Sequence, residues 1–194
     1  MDLHSTYPGL SDLRAKARRR IPKFVWEYLD SATGSEATKH RNRRALDRVG
    51  LMPSVLHGEF TADLSCHLLG RDLPLPFGIA PVGMSGLMWP DAEGHLARAA
   101  AGAGIPYTLS TVASQSPEDL RPHLGPEAWF QMYPPRDEDI RRDMLARARD
   151  AGFSTLVLTV DVPVASRRER QTRSGLTQPP RLTPRLLAQV AMRP

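Results

Sequence analysis

The clearest pattern in the chain is a series of short apolar runs separated by longer stretches with helical periodicity. Four of these runs are predicted β-strands: residues 76–81, 106–110, 129–133 and 155–161. They recur about every 25 residues, a spacing typical of βαβ units. The last run is apolar on both faces, as expected of a strand that is covered on both sides. The pattern predicts a parallel α/β sheet.

Start and stop signals for helices lie between the predicted strands. Asp91 precedes an alanine-rich stretch that ends at Gly102 or Gly104, and Ser116 precedes a proline and two acidic residues. Asp137 opens the clearest amphipathic stretch, which ends at Gly152. Polar caps, an early proline and a terminal glycine are the usual boundaries of helices. Three helices are predicted accordingly: residues 92–103, a short helix from 117, and 137–151.

The N-terminal part of the chain predicts a helical extension. Residues 9–48 divide into two or three short helices, with Ser11 as the N-cap of the first and Pro22 near the start of the second. Gly34 marks the expected end of that second helix. Residues 50–75 predict an irregular connector that contains a β-hairpin.

After Asp161 the regular pattern is lost. Residues 165–194 are rich in arginine and proline and predict a long mobile loop, a type of segment that is usually functional or disordered. The predicted division of the chain has three parts: the extension with its hairpin over 1–75, the strand–helix domain over 76–164, and the loop over 165–194.

Composition limits the classes of protein to be considered. The chain has 194 residues, of which 41% are hydrophobic and 24% charged, as in ordinary globular proteins. No apolar run approaches the ~18 residues of a membrane span, and no secretory signal is visible, so a cytoplasmic location is predicted. Cys66 is the single cysteine, which allows no internal disulfide, and we interpret it as structural.

The net charge is +5, and the densest basic run covers residues 14–20. One interpretation is a nucleic-acid footprint. A solvated helix face is favoured, because no aromatic residues interleave the run and no zinc or RNA-binding signature follows it. Nucleic acid is therefore not an expected partner, whereas contact with an anionic membrane surface stays open.

Small, polar or ionisable side chains end or follow each predicted strand. They are Pro81, Val82, Gly83, Ser110, Gln131, Tyr133, Thr159 and Asp161. Parallel β/α barrels place their chemistry at the C-terminal ends of the strands. Gln131 lies in a buried strand and needs hydrogen-bond partners there. A closed barrel needs eight strand–helix units and this chain supplies four, so the pattern predicts half of an enzyme.

Five segments in order carry a family resemblance. They are residues 21–30, 79–84, 108–112, 130–133 and 158–163. Together they resemble the FMN-dependent α-hydroxy acid dehydrogenase and oxidase family, over about Leu10 to about Gly175. The resemblance implies an α/β fold that is the N-terminal half of a (β/α)8 TIM barrel, with four βα units preceded by short helices and a hairpin. It also implies FMN as the cofactor and no metal.

The resemblance assigns cofactor contacts to the strand ends. The Pro81-Val82-Gly83 backbone would lie against the flavin ring system, where a small residue permits close approach. Ser110, Gln131 and Thr159 would hydrogen-bond the polar edge of the flavin. A simpler interpretation of Ser110 and Thr159 is that they satisfy backbone groups at the strand ends.

The resemblance also assigns substrate contacts. Tyr28 would meet the substrate carboxylate and Tyr133 its hydroxyl, while Arg168 matches a mobile arginine that helps to hold substrate or product. Asp161 would orient the catalytic histidine and stabilise its protonated form. From the pattern alone, Tyr28 also fits a core position, and Arg168 is one of several neighbouring arginines. Oxidation of a 2-hydroxy acid needs a clamp for the carboxylate, a base with a pKa near neutrality and an acceptor of two electrons.

The chain departs from the family pattern because it has no histidine after His123 and no lysine after Lys39. The family's catalytic histidine, a flavin-contacting lysine and the phosphate site lie in the second half of the barrel, so the isolated chain is expected to be inactive. Val112 stands where plant-type glycolate oxidases carry tryptophan, and Gly83 replaces a frequent alanine. L-Lactate is therefore the expected substrate, with mandelate-type acids as an alternative.

The function expected of the complete protein is FMN-dependent oxidation of an L-2-hydroxy acid to the 2-oxo acid. Expected partners are a small 2-hydroxy acid, the missing C-terminal half-barrel in the same polypeptide or as a second chain, and further copies in a homo-oligomer. A non-catalytic basic binding module and an inactive truncated paralogue stay open as alternatives. Peripheral contact with the inner face of the cell membrane also stays open.

Overall fold

The computed structural model of the protein describes residues 2–56, 58–59, 61–161, 164, 166–177, 181 and 183–193. Its helices and strands in chain order are α1 (Leu3–Thr6), α2 (Leu10–Arg20), α3 (Lys23–Asp30), α4 (Ala37–Asp47), β1 (Cys66–Leu68), β2 (Arg71–Leu73), α5 (Ala92–Ala103), β3 (Tyr107–Ser110), α6 (Pro117–Leu120), β4 (Ala128–Met132), α7 (Glu138–Ala151), β5 (Thr155–Leu158), α8 (Glu169–Ser174) and α9 (Pro184–Ala191). Two compact units result, residues 57–163 and residues 1–56 with 164–194. The first boundary differs from the predicted one at 75.

The unit over 57–163 is built on a parallel sheet with strand order β3-β4-β5. Ser110 lies beside Gln131, and Gln131 beside Val157, so the three strands run in step. Helices α5 and α7 precede β3 and β5, as a βαβ arrangement requires. The α/β fold class is confirmed.

The first predicted strand, 76–81, is not a full strand in the structure. Only Ile79 pairs with β3: its N–H donates to Pro106 O at 2.8 Å and its carbonyl accepts from the N–H of Thr108 at 3.0 Å. The prolines at positions 76 and 81 have no N–H to donate, which limits the ladder on either side. Three parallel strands and a bridge therefore replace the four predicted strands.

The core of this unit lies between the sheet and its helices. It is formed by buried apolar side chains on one face of the sheet and on α5, α6 and α7: Ala97, Ala100, Ile105, Tyr107, Leu109, Leu120, Ala128, Phe130, Met132, Ala148, Ala151 and Phe153. Leu156 and Leu158 of β5 lie beside Phe130 and Met132 in the register but are 47% and 50% exposed. The outer face of β5 is thus an apolar surface in contact with solvent.

Most predicted helix boundaries in this unit are confirmed. Ser116 caps α6, accepting a hydrogen bond from the N–H of Asp119, and Asp137 caps α7, accepting from two N–H groups of its first turn. Asp91 occupies the predicted N-cap position of α5 but does not cap with its side chain, because its carboxylate accepts from Arg98 at 2.7 Å. Gly104, with a φ of 67°, ends α5 in the left-handed conformation that glycine tolerates best.

The predicted hairpin before the sheet is also present. Strands β1 and β2 pair antiparallel, with His67 opposite Asp72. Leu69 and Gly70 have φ values of 51° and 76°, so the turn needs left-handed backbone at both central positions. Glycine supplies this at no steric cost in a two-residue turn.

The other unit is helical, and three predictions for it needed correction. Helix α2 is preceded by Gly9 instead of Ser11, and α3 ends at Asp30, before Gly34. Helices α8 and α9 lie within 165–194, which was predicted as loop. Thr183 caps α9 by accepting from a backbone N–H at 3.3 Å, and Leu186 is 2% exposed. Burial of the apolar side of α9 at Leu186 stabilises a helix in a segment whose composition is typical of a loop.

Candidate functional site

Gln131 is the centre of a hydrogen-bonded row across the C-terminal ends of the three strands. Its Nε2 donates to Thr159 Oγ1 at 2.8 Å, and its Oε1 accepts from Ser110 Oγ at 3.2 Å. Oε1 also accepts from the N–H of Thr111 at 3.3 Å. A backbone N–H can only donate, so this contact fixes which end of the amide is the oxygen. The row brings together three of the residues predicted to contact the cofactor.

The strand pattern explains why these side chains meet. Successive residues of a strand point to opposite faces, so Gln131 lies on the face opposite to Phe130 and Met132, which enter the helix-covered core. The parallel register places Ser110 beside Gln131. Gln131 is 2% exposed and Ser110 6%, so the row is a satisfied buried network and not a set of solvated side chains.

Thr111 is a member of this site that the sequence analysis did not single out. Its Oγ1 donates to Gln131 O at 2.5 Å and accepts from the N–H of Tyr133 at 3.1 Å. One hydroxyl therefore ties the end of β3 to the end of β4. The available signal was a hydroxyl residue directly after a strand-ending serine, which is weak because such residues are common in turns.

The segment Pro81-Val82-Gly83 follows the bridge of Ile79 and reaches the same edge of the sheet. Pro81 and Val82 are exposed, and Gly83 is half-buried. The next residue, Met84, donates its N–H to Val112 O at 2.8 Å, which joins this loop to the loop after β3. The predicted convergence of the strand ends is thus supported by backbone hydrogen bonds.

Glu93 is a buried carboxylate beneath these two loops. It is 1% exposed, and its Oε1 accepts from the N–H of Ser114 at 2.8 Å. Its Oε2 and the hydroxyl of Ser85 are buried without hydrogen-bond partners among the described residues. Burial, together with the nearby charge of Glu93, raises the pKa of Tyr107. Glu93 therefore supports the loop that follows β3 from below.

The open face of the sheet borders a cavity of about 470 Å³. Its lining includes Thr108, Trp129 and Val157 from the three strands, with Pro81 and Phe77 from the first predicted strand. The indole N–H of Trp129 is buried without a partner among the described residues. In a complete barrel this face would be the interior, which is filled with side chains.

Two further predicted residues lie at the same edge of the sheet. Tyr133 follows β4 and is 42% exposed, and Asp161 follows β5 and is exposed. Val162 and Pro163, which end the fifth family segment, lie outside the described residues. The roles of Tyr133 and Asp161 toward a substrate stay predictions.

Tyr28 and Arg168 belong to the helical unit and contact each other. Arg168 Nη1 donates to Tyr28 O at 3.3 Å, and the guanidinium carbon lies 6.0 Å from the centre of the Tyr28 ring. This distance is at the limit of a cation–π interaction. The structure thus pairs two residues that the sequence analysis assigned separately to the substrate.

The row of strand-end side chains combines hydrogen-bond donors and acceptors, and the polar edge of a flavin requires both. That edge alternates hydrogen-bond acceptors with an N–H donor, and Ser110, Gln131 and Thr159 present both kinds of group within one short row. A parallel α/β sheet with polar side chains along its C-terminal edge places the chain in the class of partial β/α-barrel proteins, whose chemistry lies at the strand ends.

The comparisons identify the family within this class. The family model of the FMN-dependent dehydrogenases matches residues 17–194, and the chain belongs to this family. The resemblance carried by the five segments is confirmed, as is the dependence of the family on FMN. An L-lactate dehydrogenase from Xanthobacter autotrophicus is 42% identical over 87% of the chain, and one from Caulobacter vibrioides is 40% identical over 95%.

Solved structures confirm the partial barrel. The monotopic membrane protein (S)-mandelate dehydrogenase matches 95% of the chain with a TM-score of 0.88 and 32% identity. A mandelate oxidase matches 93% with a TM-score of 0.82 and 38% identity. The chain covers 49% and 51% of these two structures, and 44% and 48% of the two lactate dehydrogenases. It therefore spans about half the length of the relatives that it matches.

Proposed function

We propose that the complete protein is an FMN-dependent L-2-hydroxy acid dehydrogenase that oxidises L-lactate, and that this chain forms one wall of its active site. The observation that carries the proposal is the hydrogen-bonded row of Ser110, Gln131 and Thr159 at the C-terminal edge of the sheet. Membership of the FMN-dependent dehydrogenase family supports it.

In this proposal the strand ends hold and orient the cofactor. Ser110, Gln131 and Thr159 hydrogen-bond the polar edge of FMN, and the Pro81-Val82-Gly83 segment lies against its ring system. FMN, when bound, supplies the capacity to accept two electrons.

The remaining predicted residues handle the substrate. Arg168 and Tyr28 bind the carboxylate, and Tyr133 donates a hydrogen bond to the oxygen of the substrate hydroxyl. Asp161 orients a histidine supplied by the second half of the barrel and stabilises it once it has taken the hydroxyl proton. A carboxylate next to an imidazole favours the protonated form, so the histidine becomes a stronger base.

We propose L-lactate rather than mandelate as the substrate because of the activities named for the relatives. The curated relatives at 40–42% identity are L-lactate dehydrogenases, whereas the mandelate dehydrogenase and oxidase are 32% and 38% identical. Mandelate is the second candidate because the backbone superposes closely on a mandelate dehydrogenase.

The second half of the barrel is part of the proposal. We propose that the remaining four βα units complete the site, in the same polypeptide or as a second chain, and that the complete protein is a homo-oligomer. None of the helices in the described parts of the chain has the length and apolarity needed to cross a membrane. Cytoplasmic location with peripheral membrane contact stays a proposal.

The test joins this chain to the C-terminal remainder of the Caulobacter vibrioides L-lactate dehydrogenase, as a fusion and as two co-expressed chains. We expect a yellow protein whose bound FMN loses its visible absorbance under anaerobic L-lactate but not under D-lactate. Each half alone serves as the control.

Reduction by (S)-mandelate but not by L-lactate would transfer the proposal to the second candidate. Failure of the joined protein to retain FMN would refute the cofactor site. Salt-sensitive binding of nucleic acid without flavin would instead support the basic binding module.

A further inference from the structure

Arg170, in the first turn of α8, contacts three carboxylates of the helical unit. Its Nη1 donates to Glu36 Oε1 at 3.0 Å and Oε2 at 3.2 Å, and its Nη2 donates to Asp30 Oδ2 at 3.1 Å. Glu27 Oε2 lies 2.6 Å from Nη2, an ion pair without hydrogen-bond alignment. One guanidinium therefore links α8 to α3 and to the start of α4.

The cluster is balanced in charge, and its carboxylates are largely shielded from solvent. Arg14 Nη2 lies 2.6 Å from Asp30, and Lys39 lies 3.6 Å from Glu36, so three cations face three carboxylates. The carboxylate side chains are only 11–14% exposed, and the Arg170 side chain is 33% exposed. Pairs shielded in this way are screened by salt much less than surface pairs.

The direction of the carboxylate pKa values agrees with the geometry. Desolvation raises the pKa of Asp30, but hydrogen bonds from Arg14 and Arg170 outweigh it, and the pKa lies below its usual value. The pKa of Glu36 is also lowered, because hydrogen bonds from the Ala32 N–H and from Arg170 outweigh its desolvation. Both groups are therefore ionised and available to hold Arg170 at neutral pH.

The same contacts determine where Arg168 lies. Arg168 is the N-cap residue of α8, two positions before Arg170. Glu27 and Asp30 flank Tyr28 on α3, and Arg168 donates to the carbonyl of that tyrosine. Arg167 also accepts from the N–H of Gly34 at 3.0 Å. The start of α8 is thus held on both sides of the Arg168–Tyr28 contact, by α3 on the side of Arg170 and by the segment after α3 on the side of Arg167.

We propose that Arg170 is a positioning residue that holds Arg168 and Tyr28 in place as the clamp for the substrate carboxylate. This inference rests on the proposed function, because it takes Arg168 and Tyr28 as substrate contacts. An arginine is required here, because a planar fork can reach Glu36 through one nitrogen and Asp30 and Glu27 through the other. A lysine ammonium is a single point of charge and cannot reproduce that geometry.

The first test measures hydrogen exchange of residues 166–177 in the full chain. We expect Arg170→Met to increase exchange of the α8 amides at least tenfold and Arg170→Lys to increase it less. Arg173→Met is the matched control, since Arg173 lies on the same helix, its side chain is 72% exposed, and among the described residues its one ion pair is with Glu169 at 2.7 Å. Unchanged exchange in Arg170→Met would overturn the proposal.

The second test is a double-mutant cycle in the joined enzyme with L-lactate. We expect Arg170→Met to raise KM about tenfold, with kcat changed less than about threefold. Because Arg170 acts through Arg168 and Tyr28, it should raise KM much less in an Arg168→Met background than in the unsubstituted enzyme. An equal rise in KM in both backgrounds would overturn the positioning role.

The two tests separate failure of this inference from failure of the proposed function. If the unsubstituted joined enzyme oxidises no 2-hydroxy acid, the proposed function fails, and the exchange experiment alone decides whether Arg170 fixes the Arg168 segment. If that enzyme is active and Arg170→Met leaves KM unchanged, the proposed function stands and this inference is wrong.

Discussion

At the scale of single residues, Gln131 combines deep burial with a fully used amide group. It is buried in a strand, and both ends of its amide are hydrogen-bonded to neighbouring strand ends. A side chain of similar length without the amide would leave the Thr111 N–H and two hydroxyls without their partner. Leaving a buried donor unsatisfied typically costs about 1–3 kcal/mol.

We expect Gln131→Met to weaken FMN binding in the joined enzyme by roughly five- to 150-fold, the equivalent of ~1–3 kcal/mol. Quenching of FMN fluorescence on titration with apoprotein measures the dissociation constant. Gln171→Met, on α8 in the other unit, is the control. Unchanged affinity for FMN in Gln131→Met would show that the row only links the strand ends and does not contact the cofactor.

Tyr133 and Arg168 are expected to affect different kinetic constants in the joined enzyme. Tyr133→Phe should mainly lower kcat, because the hydroxyl meets charge that develops on the substrate oxygen. Arg168→Met should mainly raise KM, because the carboxylate is charged throughout the reaction. Each loss of about 1.5–3 kcal/mol corresponds to roughly one to two orders of magnitude. Steady-state kinetics on L-lactate measure both constants. An unchanged KM in Arg168→Met would show that this arginine is a solvated surface charge without a role in substrate binding.

At the scale of secondary structure, capping at Asp137 offers a simple stability test. Asp137 Oδ1 accepts from the N–H groups of Asp139 at 2.9 Å and Ile140 at 3.1 Å. We expect Asp137→Ala to lower the free energy of unfolding by about 1 kcal/mol, within the ~0.5–2 kcal/mol typical of an N-cap. Urea denaturation measures it. Asp150→Ala, at the other end of α7, should not destabilise, and an equal loss there would argue against capping.

The Arg170 cluster predicts a pH dependence. Asp30 and Glu36 have lowered pKa values in the folded chain, so their contribution is complete above their unfolded pKa of about 4 and is lost as the pH falls through the lower folded values. The stability difference between the unsubstituted chain and Arg170→Met should therefore be full at pH 7 and disappear toward pH 2. Urea denaturation across this range checks it, and a difference that grows on acidification would contradict it.

The sequence predicted the elements that depend on local signals. The helices opened by Ser116 and Asp137 follow from side chains that act on their own backbone. The strand at 76–81 and the helices α8 and α9 depend on pairing with Pro106 and on burial of Leu186, which local pattern does not reveal. For the same reason Gln131 was predictable as a buried polar residue, whereas the contacts of Arg170 were not, because α3 is 140 positions away.

At the scale of the whole molecule, the uncovered face of β5 predicts association of the isolated chain. Leu156 and Leu158 are about half exposed on β5, the last strand of the sheet in the described residues, and an edge strand is a known hazard for edge-to-edge pairing. We expect the chain to be oligomeric or aggregated in sedimentation experiments, and Leu156→Lys with Leu158→Lys to reduce this. A monomer with a cooperative melt at high temperature would show that the chain needs no second half.

The row through Gln131 also gives the sheet edge a polarity. The Ser110 hydroxyl donates a hydrogen bond to the amide oxygen, and the Thr159 hydroxyl accepts one from the amide nitrogen. The Ser110 proton is therefore used within the row, whereas the Thr159 proton is not and can point outward. A glutamate at position 131 would preserve shape and length but could only accept while ionised. Thr159 would then turn its proton inward, and the edge would present oxygen lone pairs where it now presents a donor. The exchange of one atom in the middle of the row would thus reverse the hydrogen-bonding character of its Thr159 end. Glutamate, although it has the same shape and length, cannot replace glutamine at position 131.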